Sequence, residues 1–436
     1  MNFKSIVALF IVLVLPSGNY NAQTIDSLYE VGTWQGFRSS AITFTFDDNT
    51  PNQISVMLPM FDQYGFKMTF FPVINWGPNW TALQAAALNG HEVGSHTVSH
   101  SSLSTLTSDQ QIAEYKNSQD AINLHVTAQK CLTIAYPNCV TGNTTLIKQY
   151  YLAGRICSGV IVPKTPSDFM NISSMVCGTQ SSIQRTSDFT AKFDAAASSN
   201  GWLVLLIHAI DSESGYSPTN STQLKGSLDY LKSNESKFWV STFGNVARYI
   251  KERNNVSIKQ ASVKDTVITF SVTDTLNNSI YNYPITIRRV LPQGWASARI
   301  LQMGKKINSQ IVSANSKAYV MFDVVPDSGD IQMIKEKLTD ISESHTSLIT
   351  TPVLKQNYPN PFNPATQIQY EIASASPVLL KVYNLLGEEV STLVNRYQQA
   401  GSYSVVFNAA GLANGLYLYQ LRTNNFMATR KFMLLK

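Results

Sequence analysis

Short runs of β-branched and aromatic residues alternate with helical patterns over the first half of the chain. Strands are predicted at Ala41–Phe46, Lys67–Val73, Cys131–Tyr136 and Trp202–Ile207. Helices are predicted from the patterns at 81–90, 108–125 and 242–255. Strands that alternate with helices in this way indicate a parallel sheet or barrel covered by helices. We therefore predict an α/β domain over residues 24–253.

The pattern changes after this domain. Residues 256–333 contain strand-like stretches separated by clusters of Asn, Gly, Pro and Ser, which predict a small all-β sandwich. Residues 334–352 are polar and weakly patterned, as in a linker. From 354 to 436, alternating strands with Asn/Pro and Gly turns predict a second small all-β sandwich.

Residues 1–22 have the pattern of a signal peptide. Lys4 supplies positive charge, and Ile6–Leu15 is an apolar run too short to span a bilayer. Pro16 to Gly18 breaks the run ahead of a cleavage site near Ala22. No other segment is long and apolar enough to span a membrane. The net charge is +5, but Lys and Arg are scattered, so we predict no nucleic-acid partner.

The cysteine positions indicate disulfides, because an exported chain meets an oxidising compartment. There are four cysteines, and none has the C-x-x-C spacing of a thiolate metal site: Cys131, Cys139, Cys157 and Cys177. Short separation along the chain favours a disulfide between Cys157 and Cys177. By the same reasoning, Cys131 should lie near Cys139 as the second pair.

Gly90–His100 contains three of the six histidines: His91, His96 and His100. In a helical turn, residues i and i+4 share a face, so the side chains of His96 and His100 could bind the same ligand. Imidazole binds divalent metals such as zinc. Asp47 and Asp48 end a predicted strand, and adjacent carboxylates resist burial unless a cation is near. Asp48 with the two histidines would form a two-His-one-carboxylate site.

His208 follows the apolar strand 202–207 and should lie at the same edge of the domain. A histidine with a pKa near neutral can donate a proton to a leaving group. A hydrogen-bonded structural histidine is the alternative for this residue taken alone.

Three stretches resemble, in chain order, motifs of the NodB-like polysaccharide deacetylases, carbohydrate esterase family 4: Thr45–Asp48 the first, His96–His100 the second, and Leu206–His208 the fifth. The resemblance covers residues 40–253 and implies a distorted (β/α) barrel. It implies that Asp47 is the general base and His208 the general acid. It also implies that Asp48, His96 and His100 bind a divalent metal, Zn²⁺ foremost, and that His91 packs or hydrogen-bonds instead.

The chain departs from that family at several positions. Ala135 stands where the third motif has an arginine that orients the base, although Tyr136-Pro137 keeps the rest of the motif. By position, the backbone N–H of Asn138 is the oxyanion donor. Residues 171–178 offer no acid for the fourth motif, and Asp211 is a substitute three residues after His208. Asn49 replaces the glycine that often follows the two aspartates.

The resemblance implies a secreted metal-dependent hydrolase of carbon–nitrogen (non-peptide) bonds that deacetylates a carbohydrate polymer. Chitin-like polymers, peptidoglycan and acetylated xylan are the candidate substrates, with N-acetyl and O-acetyl groups both open. The alternatives are an acetylxylan-type O-acetyl esterase, another amide hydrolase of this fold, or a carbohydrate-binding pseudoenzyme. A serine hydrolase is disfavoured because no G-x-S-x-G motif is present.

The C-terminal sandwich resembles the sorting domains of type IX secretion cargo. The motifs that carry this resemblance are Asn357–Pro364, Val382–Asn384 with Gly387, and Gly411 with Asn414–Tyr417. It implies the type IX machinery as a partner. It also implies a secreted or cell-surface location, reached through the periplasm of a Gram-negative bacterium.

Overall fold

The computed structural model describes residues 25–336, 352–357, 359–398, 401–424 and 426–435. The predicted signal peptide and most of the predicted linker lie outside these residues. No helix within them is long and apolar enough to cross a membrane.

The first domain alternates strands and helices, as predicted. Strand β1 (Tyr29–Val31) precedes the strands of this domain, which are β2 (Ser40–Asp47), β3 (Thr69–Phe71), β4 (Glu92–Val93), β5 (Thr133–Ala135), β6 (Ala153–Arg155), β7 (Met175–Val176), β8 (Trp202–Ile207) and β9 (Phe238–Val240). Its helices are α1 (Leu58–Tyr64), α2 (Trp80–Leu88), α3 (Ser108–His125), α4 (Thr144–Ile147), α5 (Thr186–Ser198), α6 (Ser221–Ser233) and α7 (Phe243–Asn255). The four strands and three helices predicted from the sequence are all present.

The strands pair in parallel in the order β4-β3-β2-β8-β7, with β9 also on β2. The pair β5-β6 is separate from this sheet and is joined to it by single bridges, Ser95–Ile134 and Arg155–Ile172. Over residues 25–255, continuous ladders therefore do not close these strands into a barrel.

Strand β2 lies at the centre and is buried along its whole length. Its side chains lie alternately on the two faces of the sheet, because successive residues of a strand point to opposite faces. Phe44 and Phe46 pack edge-on against Phe61 of α1, with ring centroids 5.0 and 5.8 Å away. Burial of each ring contributes about 2–3 kcal/mol. Thr43 and Thr45 face the other side, and Asp47 follows them in the same alternation.

Strands after α7 form two antiparallel sheets. Their bounds are β10 (Ser257–Val263), β11 (Val267–Thr273), β12 (Ile285–Val290), β13 (Ser297–Gln302), β14 (Lys305–Ile307), β15 (Ser309–Ala314), β16 (Lys317–Val324) and β17 (Ile331–Glu336). The sheet orders are β1-β12-β16-β15 and β10-β11-β17-β13-β14. The N-terminal strand β1 thus belongs to the second domain, which the sequence did not indicate.

A continuous hydrophobic core joins the first two domains. Trp239 and Ile250 of the α/β domain belong to the same buried cluster as Ile258, Phe270 and Phe322 of the sandwich.

The C-terminal strands also form two antiparallel sheets, β18-β19-β22 and β21-β20-β23-β24. Their bounds are β18 (Val353–Leu354), β19 (Ala365–Ile372), β20 (Ser376–Tyr383), β21 (Glu389–Gln398), β22 (Gly401–Asn408), β23 (Gly415–Arg422) and β24 (Met427–Leu434). These sheets enclose a core of their own around Tyr419 and Phe432.

Candidate active site

The two aspartates lie where β2 ends and the chain turns. Asp47 is 2% exposed. Asp48 and Asn49 both have left-handed backbone conformations, with φ of 75° and 56°. Asn tolerates this region better than most residues. The Asn49 side chain holds the turn, since it donates to the carbonyl of Val73 (3.0 Å) and accepts from its N–H (2.9 Å). The glycine of the resembled motif is therefore replaced by a residue that fits the same turn.

His96 and His100 come together on a loop after β4, so the predicted helical turn is wrong. Thr97 and His100 have left-handed conformations, with φ of 67° and 62°, which no α-helix accommodates. Glu114 of α3 fixes the loop, because its carboxylate accepts from the N–H groups of Val98 (2.8 Å) and Ser99 (3.0 Å). No motif in the sequence marked Glu114 for this role.

The structure brings Asp48, His96 and His100 together. Their nearest ligand atoms all lie within 4.8 Å of one another. The Nε2 atoms of His96 and His100 are 3.5 and 3.7 Å from Asp48 Oδ1. The Nδ1 atom of His96 is held by the Ala135 carbonyl at 2.9 Å, which directs Nε2 toward Asp48. Second hydrogen bonds of this kind commonly orient histidine ligands.

The cluster has the chemistry of a divalent cation site. Asp48 Oδ1 is buried and accepts no hydrogen bond from any described residue. Burial raises the pKa of Asp48 and lowers the pKa of His96 to about 3, so the imidazole stays neutral well below pH 7. A neutral imidazole and a buried carboxylate without a donor are the groups that a cation would bind. The three residues therefore fit a metal ion.

Arg155 lies against Asp47, and sequence reasoning missed it. The guanidinium Nη2 forms an ion pair with Asp47 Oδ2, and both side chains are buried. The second terminal nitrogen, Nη1, donates to Ser174 Oγ at 3.1 Å. A lone arginine that ends a short buried strand was the signal available in the sequence.

His208 follows β8 and reaches the same cluster, with Nε2 3.9 Å from Asp48 Oδ2. Its carbonyl accepts from Thr50 Oγ1 (3.1 Å) and Gln53 Nε2 (3.0 Å), which fixes its backbone. Burial lowers the pKa of His208 to about 4. Its Nδ1 has no hydrogen-bond partner among the described residues.

Asp211 does not replace the acid of the fourth motif. Its carboxylate accepts from the Ser221 N–H at 2.8 Å, at the start of α6, and makes no hydrogen bond to His208. Capping of this kind satisfies a backbone donor that the helix itself leaves free.

Asn138 lies in a tight turn directly after β5, with φ of 55°. Its side chain donates to Ser102 Oγ at 3.0 Å, two residues beyond His100. This contact joins the turn to the loop that carries the two histidines.

The predicted cysteine pairs are wrong. Cys139 and Cys157 form the disulfide, and Cys131 and Cys177 are free and buried. Proximity along the chain misled the prediction, because β5 and β6 run parallel and bring Cys139 beside Cys157, with Cα atoms 5.5 Å apart.

His91 packs away from the cluster, as predicted. Its Nδ1 accepts from the Met68 N–H at 3.2 Å, and its Nε2 lies 2.8 Å from Asp62 Oδ1.

Comparison with known proteins identifies two parts of the chain. The model of the polysaccharide deacetylase family matches residues 35–153, and that of the secretion system C-terminal sorting domain matches residues 356–435. A gellan lyase from a Bacillus species is 26% identical over 355 residues. That match covers 74% of this chain, but the chain spans only 14% of the lyase.

Several solved structures are also similar. The Xyl-CE4 domain of a multidomain xylanase from the hindgut metagenome of Trinervitermes trinervoides is 19% identical, over 47% of this chain and 88% of that one (TM-score 0.34). A peptidoglycan deacetylase from Bacillus subtilis is 16% identical, over 49% of this chain and 92% of that one (TM-score 0.34). A family 4 acetyl xylan esterase from Clostridium thermocellum is 20% identical, over 47% of this chain and 89% of that one (TM-score 0.34).

The chain therefore contains a polysaccharide deacetylase domain of the NodB type, carbohydrate esterase family 4, together with a type IX secretion C-terminal sorting domain.

Proposed function

We propose that the protein is a secreted, metal-dependent deacetylase that removes acetyl groups from a carbohydrate polymer. The observation that carries this proposal is the convergence of Asp48, His96 and His100 beside two further titratable residues, Asp47 and His208. Three protein ligands with positions left open are typical of catalytic rather than structural metal sites.

Asp48, His96 and His100 would hold the ion, and two imidazoles with one carboxylate suit Zn²⁺. When bound, such an ion polarises a carbonyl group and lowers the pKa of water. The other residues of the site then supply proton transfer and orientation.

Asp47 would act as the general base. Arg155 occupies its Oδ2 atom, whereas Oδ1 accepts no hydrogen bond from any described residue. In this proposal the Asp47 carboxylate, which lies 3.5 Å from His96 Nε2 through Oδ2, takes a proton from the attacking water. The water oxygen bonds to the acetyl carbon, and the backbone N–H of Asn138 would donate to the carbonyl oxygen as negative charge develops there.

His208 would protonate the leaving group as the bond from the acetyl carbon to the sugar nitrogen or oxygen breaks. With its pKa lowered to about 4 by burial, its ring is neutral at rest near pH 7. His208 must therefore receive the proton that Asp47 removes from water before passing it on. Acetate and the deacetylated sugar are the products.

The sorting domain suggests where the reaction takes place. We infer export through the periplasm of a Gram-negative bacterium and delivery by the type IX machinery to the cell surface or medium. A polymer outside the cell is then the substrate, and chitin-like polymers, peptidoglycan and acetylated xylan are the candidates.

Acetate release from N-acetylated chitooligosaccharides, peptidoglycan and acetylxylan tests the proposal. The full chain should release acetate from at least one of them, and Asp47→Asn should be slower by about 100-fold or more, since general base catalysis contributes about 10²–10⁴-fold. Failure on all three substrates, or equal rates for the two proteins, would contradict it. Polymer binding without turnover would instead support a carbohydrate-binding pseudoenzyme.

A further inference from the structure

Arg155 faces the position at which the third motif of the deacetylase family has its arginine. Strands β5 and β6 pair in parallel, and Ala135 and Arg155 are direct partners in that pair. Side chains of such partners project to the same face of the sheet. The chain therefore has alanine at that position on β5 and an arginine at the same level of the neighbouring strand, β6.

The surroundings of Arg155 hold its guanidinium in one place. The side chain is 1% exposed and lies over the Phe71 ring, with Cζ 5.6 Å from the centroid. Nη1 donates to Ser174 Oγ, and the Ser174 hydroxyl donates in turn to the Ile156 carbonyl at 2.8 Å. Nη2 is thereby directed at Asp47.

This ion pair holds the Asp47 carboxylate in one orientation beside the cluster of Asp48, His96 and His100. Asp47 is almost fully buried, and a buried carboxylate is costly unless a cation pairs with it. Arg155 binds Oδ2, the oxygen that lies 3.5 Å from His96 Nε2, and no described residue donates to Oδ1. The pair therefore stabilises the anion and fixes the orientation of the whole carboxylate relative to the cluster.

We propose that Arg155 is the positioning residue of the catalytic base, acting from β6 in place of the absent arginine at position 135. This inference rests on the proposed role of Asp47 as the base. Arg155 acts through Asp47 and does not itself touch the substrate.

The test is Arg155→Ala in the full chain, with kcat, KM and metal content measured together. We expect unchanged metal content, a similar KM, and a kcat lower by about 100-fold, the loss that follows misplacement of a reacting group by about 1 Å. Arg289 is a matched control, because it is also buried but lies in the sandwich. Arg289→Ala should keep the wild-type kcat.

Rescue separates positioning from a general structural effect. Guanidinium chloride at low, non-denaturing concentration should restore part of the activity of Arg155→Ala, whereas urea, which has a similar shape but no charge, should not. The double variant Ala135→Arg with Arg155→Ala returns the guanidinium to the other strand and should also regain activity. A wild-type kcat in Arg155→Ala, or a loss that neither treatment restores, would overturn the inference.

If Arg155→Ala does not fold, the variant Arg155→Lys tests the inference instead. Lysine keeps the charge but loses the planar fork that contacts Asp47 and Ser174 at once. We expect a kcat lower by about tenfold in a folded protein with full metal, and a wild-type kcat would refute the inference. Asp47→Asn is assayed alongside. If it stays active, the proposed base is wrong, whereas an inactive Asp47→Asn beside an unaffected Arg155 variant refutes only the inference about Arg155.

Discussion

At the scale of single residues, the site combines three candidate metal ligands with Arg155, which forms a buried ion pair with Asp47 beside them. Asp48, His96 and His100 were recognised from local motifs, and they do converge. Arg155 was missed because its contact with Asp47 depends on the pairing of β5 with β6, which local patterns do not reveal. Asp211 was misread for a related reason, since closeness in sequence to His208 says nothing about the direction of its side chain.

The burial of His208 leads us to predict how the free energy of unfolding of the metal-free protein depends on pH. Burial lowers the pKa of His208 to about 4, against about 6.5 in the unfolded chain. Between these values the unfolded chain binds more protons than the folded one, so the free energy of unfolding falls as the pH drops. For His208 the loss is on the order of 2 kcal/mol between about pH 7 and about pH 5.

Thermal unfolding of chelator-treated protein across this pH range provides the measurement. The Tm should fall toward acid, and His208→Gln should weaken that dependence because the variant side chain does not titrate. Equal pH dependence in the two proteins would show that His208 is not held neutral by burial.

At the scale of elements, regular hydrophobic patterns predicted the helices and strands correctly. The conformation of the loop that carries His96 and His100 was predicted wrongly. Helix α3 has the bounds that its pattern predicted, and it begins with a capping box formed by Thr107 and Gln110. The His-x-x-x-His spacing, by contrast, fits both a helical turn and a loop. Gly94, two residues before His96, lets the chain pass close to the sheet, since a Cβ there would meet the Phe71 ring at 2.4 Å.

The disulfide joins two elements on which the proposed mechanism depends. Cys139 follows Asn138 in the turn after β5, and Cys157 lies two residues beyond Arg155 at the end of β6. Loss of the bond should loosen both the oxyanion donor and the arginine that holds the base. A cross-link closing a loop of this size also stabilises the folded state by about 3 kcal/mol.

We expect Cys139→Ser with Cys157→Ser to lower the Tm and kcat while metal content stays the same. The matched control is Cys131→Ser with Cys177→Ser, which leaves the disulfide in place and should keep its kcat. If the disulfide-free protein turns over at the wild-type rate, the cross-link serves stability alone.

At the scale of the whole molecule, the order of the domains was predictable, but their connections were not. Composition and strand spacing indicated an α/β domain followed by two sandwiches, and the sheets of the described residues have this arrangement. The pairing of Tyr29 with Arg289 joins distant parts of the chain, and nothing local marks it. Because the same buried cluster extends through α7 into the sandwich, we expect the first two domains to be stable only together.

The central claim is that Asp48, His96 and His100 bind a metal on which acetate release depends. The most direct test measures metal content per chain beside the rate of acetate release in single variants of the site. Asp48→Ala, His96→Ala and His100→Ala should lose the metal and the activity together. Asp47→Asn and His208→Ala should keep the metal and lose the rate. Full metal content in His96→Ala and His100→Ala would contradict the account.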